Sequence, residues 1–222
     1  MLDKYLNDPD AIGLARFNYG ALHANADDRA ALAAYIETLE GTDVAALSTD
    51  EAIAFWANLY NAVTIKVVID NYPVKSIREI KSGWRAGPWK RNLVTVNGKS
   101  LSLDDIEHDI LRKQYPSPLL HYMVNCASIG CPNLKSGLWT AATLRADQDA
   151  AARAYINSPR GVRITGKGLK ISSIYKWFKE DFGGNKAGVI AHLKDHATGE
   201  LATALNNGAS IKKYDYDWSL NK

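Results

Sequence analysis

Cys126 and Cys131 bracket the string Cys126-Ala-Ser-Ile-Gly-Cys131-Pro132, with His121 shortly before it and Glu107 and His108 on the preceding segment. A thiol, an imidazole and a carboxylate are the parts of a nucleophile, its proton shuttle and the group that orients the shuttle. That set suits attack on an amide or ester carbonyl. The thiolate is the attacking form, and Pro132 suits the first position of a helical turn whose free N–H groups would lower the pKa of Cys131. Three plainer readings stand beside a reactive thiol: a disulfide between the pair, burial as small hydrophobes, or half of a metal site. Zinc needs about four ligands. The sequence holds no C-x-x-C or H-E-x-x-H string to supply them, so neither a metal nor another cofactor is expected.

Glu107 shares a helix face with Leu103, Ile110 and Leu111, which turns its carboxylate inward. A buried anion needs a partner such as a histidine, an arginine or backbone N–H groups. It either orients a catalytic histidine or acts as a base, or it makes a structural ion pair. His108 lies one step round, beside Asp104 and Arg112, on the side expected to be exposed. Residues 120–125 read as a buried strand with His121, Met123 and Asn125 on one face and Tyr122, Val124 and Cys126 on the other. An extended chain would separate His121 from Cys126 by roughly 16 Å, so a dyad of those two needs a bend. The Ser128-Ile129-Gly130 loop frees Cys131 from that objection. His121 is the preferred base and His108 the reserve.

Asn58 and Asn61 interrupt an apolar helix, and buried amides must find partners. They either hold the cysteine loop through its backbone, or one of them donates to an oxyanion. With Ser128 they complete the candidate binding residues. His192 and His196, spaced i and i+4, read as solvent-facing. Trp84, Trp89, Trp177 and Trp218 fill the core or line a groove for a sugar or peptide, core-filling being the commoner use. Gly166-Lys-Gly168 and Gly183-Gly184 read as turns, which argues against nucleotide binding. A working site requires residues 58–61, 107–108 and 121–132 to converge in space.

The elements that must position these residues are mostly helical. Ser48-Thr-Asp-Glu51 is a capping box, and Phe55, Leu59, Ala62, Val63 and Val67 recur at three and four through a mostly buried helix from about Thr49 to Ile69. Asn71-Tyr72-Pro73 stops it. An earlier helix carries Leu32, Tyr35, Ile36 and Leu39, residues 83–91 form an aromatic loop, and residues 93–101 form a hairpin about Asn97-Gly98. Ser102 caps a helix running to about Arg112. Further helices are expected near 140–157, over 172–182 and near 186–196, with a second hairpin over 162–171. The expected fold class is α+β, one compact domain over residues 1–222 with several helices around a small antiparallel sheet.

Of the 222 residues, 46% are hydrophobic and 23% charged, as in ordinary globular proteins. A net charge of +3, scattered along the chain, leaves no footprint for nucleic acid. Apolar stretches are broken by charge short of the roughly 18 residues that span a bilayer, so no transmembrane segment is expected. The start, Met-Leu-Asp-Lys-Tyr-Leu, lacks the apolar core of a signal peptide and read literally means cytoplasm. A start methionine replacing a removed leader would look the same, which leaves the compartment open.

Seven strings together resemble, in order and spacing, the family called domain of unknown function 547, over about residues 30–221. They are Ala54-Phe-Trp-Ala-Asn58-Leu-Tyr-Asn61-Ala62, Asn71-Tyr-Pro73, Leu101-Ser-Leu-Asp-Asp-Ile-Glu107-His108, Leu111-Arg112, His121 to Cys126, Gly130-Cys131-Pro132 and Tyr216-Asp-Trp-Ser-Leu-Asn221. Ala57 departs from the pattern, where isoleucine is common. The resemblance brings no established reaction. It implies kinship with papain-like and transglutaminase-like cysteine enzymes and a bacterial, often exported setting, which favours the periplasm. The combined expectation is a cysteine hydrolase or acyl transferase for a small-molecule or peptide substrate. Cys131 or Cys126 would be the nucleophile, His121 or His108 the shuttle, and Glu107 its orienting group. The alternatives are a non-catalytic binding or scaffolding module of the cell envelope with a protein partner, its polar residues forming a buried network, and a thiol–disulfide switch.

Overall fold

A computed structural model of the protein describes residues 2–81, 83–84 and 86–222; Arg85, within the expected aromatic loop, and Met1 lie outside the described residues. The chain is organised on α3 (Thr49–Asp70), which starts where the capping box places it. Ser48 N–H donates to Glu51 Oε2 at 2.8 Å, and Glu51 N–H to Ser48 Oγ at 3.4 Å. Sixteen of its 22 residues are buried, so it is packed on all sides rather than along one stripe. By length and composition α3 is apolar enough to cross a membrane, contrary to the expectation that the apolar stretches fall short. Its apolar window is 89% buried inside the protein, as befits the central helix of a core. Two preceding helices, α1 (Tyr19–Ala24) and α2 (Ala26–Glu40), pack against it.

The strands β1 (Val94–Val96) and β2 (Lys99–Leu101) form the expected hairpin, in register Val94 with Leu101. Asn97 at φ 48° and Gly98 at φ 73° supply the two left-handed residues that such a tight turn requires. Ser102 and Asp105 then reciprocate as a cap, Ser102 N–H donating to Asp105 Oδ2 at 2.8 Å and Asp105 N–H to Ser102 Oγ at 3.2 Å. The helical segment that follows is wider than an α-helix. Asp105–Leu111 is π-helical, with Arg112 N–H reaching back five residues to Glu107 O, before α4 (Arg112–Gln114) resumes the ordinary pitch.

The expected strand over 120–125 is absent. Pro118–Tyr122 is instead a 3-10 turn, capped by Ser117 Oγ and opened by a proline whose fixed φ suits a first helical position. A short apolar run reads equally well as strand or buried helical turn. Beyond α5 (Leu144–Ile156) the second hairpin, β3 (Val162–Thr165) and β4 (Gly168–Ser172), forms as expected. The sheet is mixed rather than purely antiparallel, because β5 (Ile211–Asp215) pairs parallel to β4. The expected 172–182 helix is two short pieces, α6 (Ile174–Trp177) and a 3-10 turn at Lys179–Phe182 that ends on left-handed Gly183. Then come α7 (Lys186–His196) and α8 (Gly199–Asn206), the latter not expected from sequence.

Two apolar clusters result. One surrounds α3; the other lies among β3, β4, β5, α5, α7 and α8. Leu120 and Met123 belong to the first and Tyr122 to the second, so the segment leading to the cysteines runs along the seam between them.

Candidate active site

Past the seam the backbone turns through Ala127, buried and left-handed at φ 60°. A residue with a Cβ rarely adopts that conformation, and it persists where surrounding contacts enforce it. Asn125 closes the loop from within, accepting the Ala127 N–H at 2.7 Å and donating to Pro132 O at 2.6 Å. Asn61 of α3 holds the entrance, donating to Met123 O and accepting from Asn125 N–H, both at 2.8 Å. Tyr155 of α5 donates to Gly130 O at 2.6 Å, and Arg160 donates to Ile129 O at 3.1 Å and Cys131 O at 2.5 Å. The C-terminal segment seals the remaining edge, accepting Ile129 N–H on Ser219 O and Gly130 N–H on Asp217 O.

This brace sets two free thiols against one phenol. Tyr216 Oη lies 3.1 Å from Cys126 Sγ, 3.0 Å from Cys131 Sγ and 2.8 Å from Ser128 Oγ. Gly130 permits the approach, since a Cβ there would stand 2.8 Å from the Tyr216 ring. Cys126 N–H donates to Cys131 Sγ at 3.1 Å. Burial pushes the Cys131 thiol up, but hydrogen bonds from the Cys126 thiol, Tyr216, the Cys126 N–H and Ser128 outweigh it and bring it down to about 7. Cys126 moves the other way, raised well above the ordinary thiol range by its hydrogen bond to Cys131 and then by burial. The pair therefore loses its first proton near neutrality, with the charge on Cys131. No helix begins at Pro132, and the next one, α5, starts at Leu144. Hydroxyl, thiol and amide donors thus take the part expected of a helix N-terminus.

His121 is buried, and its Nε2 donates to Asp181 Oδ2 at 2.7 Å. Arg112 grips the same carboxylate through Nε at 2.5 Å and Nη2 at 3.1 Å. Burial pushes the Asp181 carboxyl up, but hydrogen bonds from His121 and Arg112 prevail and hold it well below the usual carboxylate range. The imidazole stacks on Phe178 with ring centroids 4.4 Å apart. With Nε2 committed to Asp181, Nδ1 is the nitrogen left for a reacting group. The carboxylate that orients His121 is thus Asp181 and not Glu107. Glu107 sits instead 3.9 Å from Nδ1 of His108, which is half-buried rather than exposed, and beside the Tyr60 hydroxyl. Both residues stand on the π-helical segment, a distortion that recurs at functional sites.

Glu107, His108, His121, Cys126 and Cys131 line one cavity of about 180 Å³, walled by Trp89, Trp177, Trp218 and Tyr216. Of the three segments required to converge, 107–108 and 121–132 meet at this cavity, whereas 58–61 contributes Tyr60 alone. Asn61 supports the loop from behind, whereas Asn58 exchanges hydrogen bonds with the Trp139 backbone at 2.9 and 3.0 Å. Both asparagines line a separate apolar cavity of about 270 Å³, so neither faces the thiols. Three of the four tryptophans wall the groove, Trp89 and Trp218 also packing against the first cluster, and Trp84 is 87% exposed. His192 and His196 are buried, not solvent-facing, because α7 packs against the second cluster. His192 Nε2 lies 2.7 Å from the Tyr122 hydroxyl, and His196 Nδ1 lies 3.0 Å from Asp149. Among the described residues no group of three or more His, Cys, Asp or Glu is placed to hold a metal ion.

Asp181, Tyr216 and Arg160 were not singled out from sequence. The usable signals were a carboxylate set among Trp177, Phe178 and Phe182, and a tyrosine in the aromatic C-terminal string. Fold and site together define an α+β protein whose paired thiols line one cavity with a carboxylate-bound histidine. The model of the family described as "Protein of unknown function, DUF547" matches residues 44–156, half of the chain, and the chain belongs to that family. No curated protein and no solved structure matches it. The matched span contains both cysteines and His121 and stops short of Asp181 and Tyr216.

Proposed function

We propose that the chain is a cysteine hydrolase or acyl transferase acting on an amide or ester. The observation that carries this reading is the meeting, in one cavity, of a thiol brought down to about 7 and a histidine already oriented by a carboxylate. Cys131 as thiolate attacks the carbonyl carbon, and the carbonyl electron pair moves onto oxygen. The tetrahedral intermediate then collapses, the C–N or C–O bond breaks, and the leaving group takes a proton from His121, whose cationic form Asp181 stabilises. Water, or an acceptor in a transfer, attacks the resulting thioester. Its proton passes to His121 and Cys131 leaves as thiolate. Cys126 keeps the proton that Cys131 lacks, while Tyr216 and Ser128 fix the pair. His108 beside Glu107 is the second shuttle. A small-molecule or peptide substrate, kinship with papain-like and transglutaminase-like enzymes, a bacterial exported setting and a single domain over residues 1–222 belong to the same proposal.

The test is mass-spectrometric mapping of iodoacetamide labelling across about pH 5 to 9, with and without prior reduction, run beside ester and amide turnover. Cys131 should label without reduction, with its midpoint near 7. Asp181→Asn should leave that profile in place while lowering kcat on the order of 10²–10⁴-fold. Labelling only after reduction, or an ordinary thiol midpoint near about 8.5 with no turnover, would remove the proposal.

A further inference from the structure

We infer that the acyl compound taken by this cavity carries an ammonium group, held by Trp89, Trp177 and Trp218 against the carboxylates of Asp104 and Glu107. The inference names the substrate class of the proposed hydrolase and rests on that reading for the word acyl; the cation site itself stands on separate observations. Trp218 is the hub. Its ring centroid lies 5.7 Å from Trp89, 5.6 Å from Trp177 and 4.6 Å from Tyr216, and Trp177 lies 4.8 Å from Tyr216. Aromatic faces carry negative potential, so a partly desolvated group of them attracts cations, quaternary ammonium above all. Trp177 is 47% exposed, which leaves part of its ring open to a ligand at the cavity it lines. Trp218 already takes a cation from the neighbouring cleft, where the Arg78 guanidinium sits 5.3 Å from its ring.

The charge balance of the wall points the same way. Asp104 and Glu107 line the cavity together with the Cys131 thiol. Among the described residues neither carboxylate has a cationic partner closer than 3.8 Å. Asp104 lies 4.0 Å from Lys90 and 3.8 Å from His108, and Glu107 lies 3.9 Å from the same His108. Asp181 shows what a satisfied carboxylate looks like here, with His121 at 2.7 Å and Arg112 at 2.5 Å. Lys90, and one histidine shared between Asp104 and Glu107, stand farther off than the partners of Asp181, which leaves both carboxylates open to an added cation and disfavours an anionic substrate. The cavity, about 180 Å³, is smaller than the roughly 300–1,000 Å³ typical of sites for drug-sized ligands. It suits a compact head group.

Choline and its uncharged isostere, in which carbon replaces nitrogen, separate this inference from general apolar binding. Titration followed by tryptophan fluorescence and calorimetry should show choline binding at least about 5-fold more tightly than the isostere. Trp177→Leu, at a half-exposed position, and Glu107→Gln should each reduce choline binding by about 3- to 10-fold while leaving the isostere unchanged. Equal affinity for the two probes, or no binding of choline, would overturn the inference. Butyrylcholine and its uncharged isostere then serve as substrates, with Cys131→Ala as the control that keeps the cage and loses the nucleophile. Preference for choline without turnover of either ester would sink the hydrolase and keep the cation site. Turnover of both esters with equal kcat/KM would keep the hydrolase and sink the cation site.

Discussion

Tyr216 contacts Cys126, Cys131 and Ser128 at once but owns a single proton to donate, so the hydrogen bonds around it must be ordered rather than all made equally. Burial, followed by the charges of the two thiols, raises its own phenol well above the ordinary range and keeps it a donor at neutral pH. The thiolate of Cys131 is the group that gains most from that proton, because a charged acceptor forms the stronger hydrogen bond. Tyr216→Phe removes the donor and retains the ring that packs over Gly130 and beside Trp218. Cys131 should then be deprotonated less readily, its labelling midpoint rising from about 7 toward the unperturbed thiol value of about 8.5, with the neutral-pH labelling rate falling several-fold. An unchanged midpoint would assign the lowered thiol to Cys126 and Ser128 alone. The measurement is the same alkylation series used for the wild type.

At the scale of elements, α3 holds the entrance of the cysteine loop through the amide of Asn61. Asn61→Ala would strand Met123 O and Asn125 N–H in a buried environment, and each unsatisfied group costs about 1–3 kcal/mol. We expect a loss of about 2–4 kcal/mol in urea unfolding, together with a broadened Cys131 labelling profile as the loop entrance loosens. A loss below about 0.5 kcal/mol would mean that water or a shifted loop replaces the amide. The α3 boundaries, the β1–β2 hairpin and α7 were legible from sequence because their signals are local: a capping box, an Asn-Gly turn, an Asn185 cap. The 120–125 segment misled because its apolar run suits strand and 3-10 turn alike, and the decisive Ser117-Pro118 start lies outside the run. β5 was missed because Lys212 and Lys213 break any alternation; it is a strand only because β4 lies beside it. The site divides in the same way. Glu107, His108, His121, Cys126 and Cys131 fall close together along the chain and could be grouped by chemistry. Asp181 lies 60 positions from His121 and Tyr216 lies 85 from Cys131, distances that only packing closes.

At the scale of the whole molecule, the site occupies the seam between two apolar clusters, and the second contains a histidine that resists protonation. Phe182 spans the two regions, its ring 5.2 Å from His121 and 4.9 Å from His192. His192 faces Tyr122, Phe182 and His196, and its pKa is pushed down to about 4, first by burial and then by the charge of His196, with Asp195 opposing. In the unfolded chain the same imidazole titrates near about 6.5. Between those values the unfolded state binds a proton that the folded state refuses, so stability falls as pH drops from about 6.5 to about 4 and levels off below. The full gap corresponds to roughly 3 kcal/mol, an order-of-magnitude figure for a buried ring. Asp181 acts in a different window. Its lowered pKa contributes stability that is complete above about 4 and is lost only in stronger acid, so it does not account for a decline that begins near 6.5. His192→Gln removes the titration and leaves an amide within reach of the Tyr122 hydroxyl. Thermal unfolding at about pH 7 and about pH 4.5 should show a larger fall in Tm for the wild type than for the variant, even where the variant is less stable at neutral pH. Equal slopes would place the acid sensitivity outside His192. A smaller slope for His192→Gln, with Cys131 labelling preserved further into acid, would show that the second cluster carries its titration through Phe182 to the seat of His121.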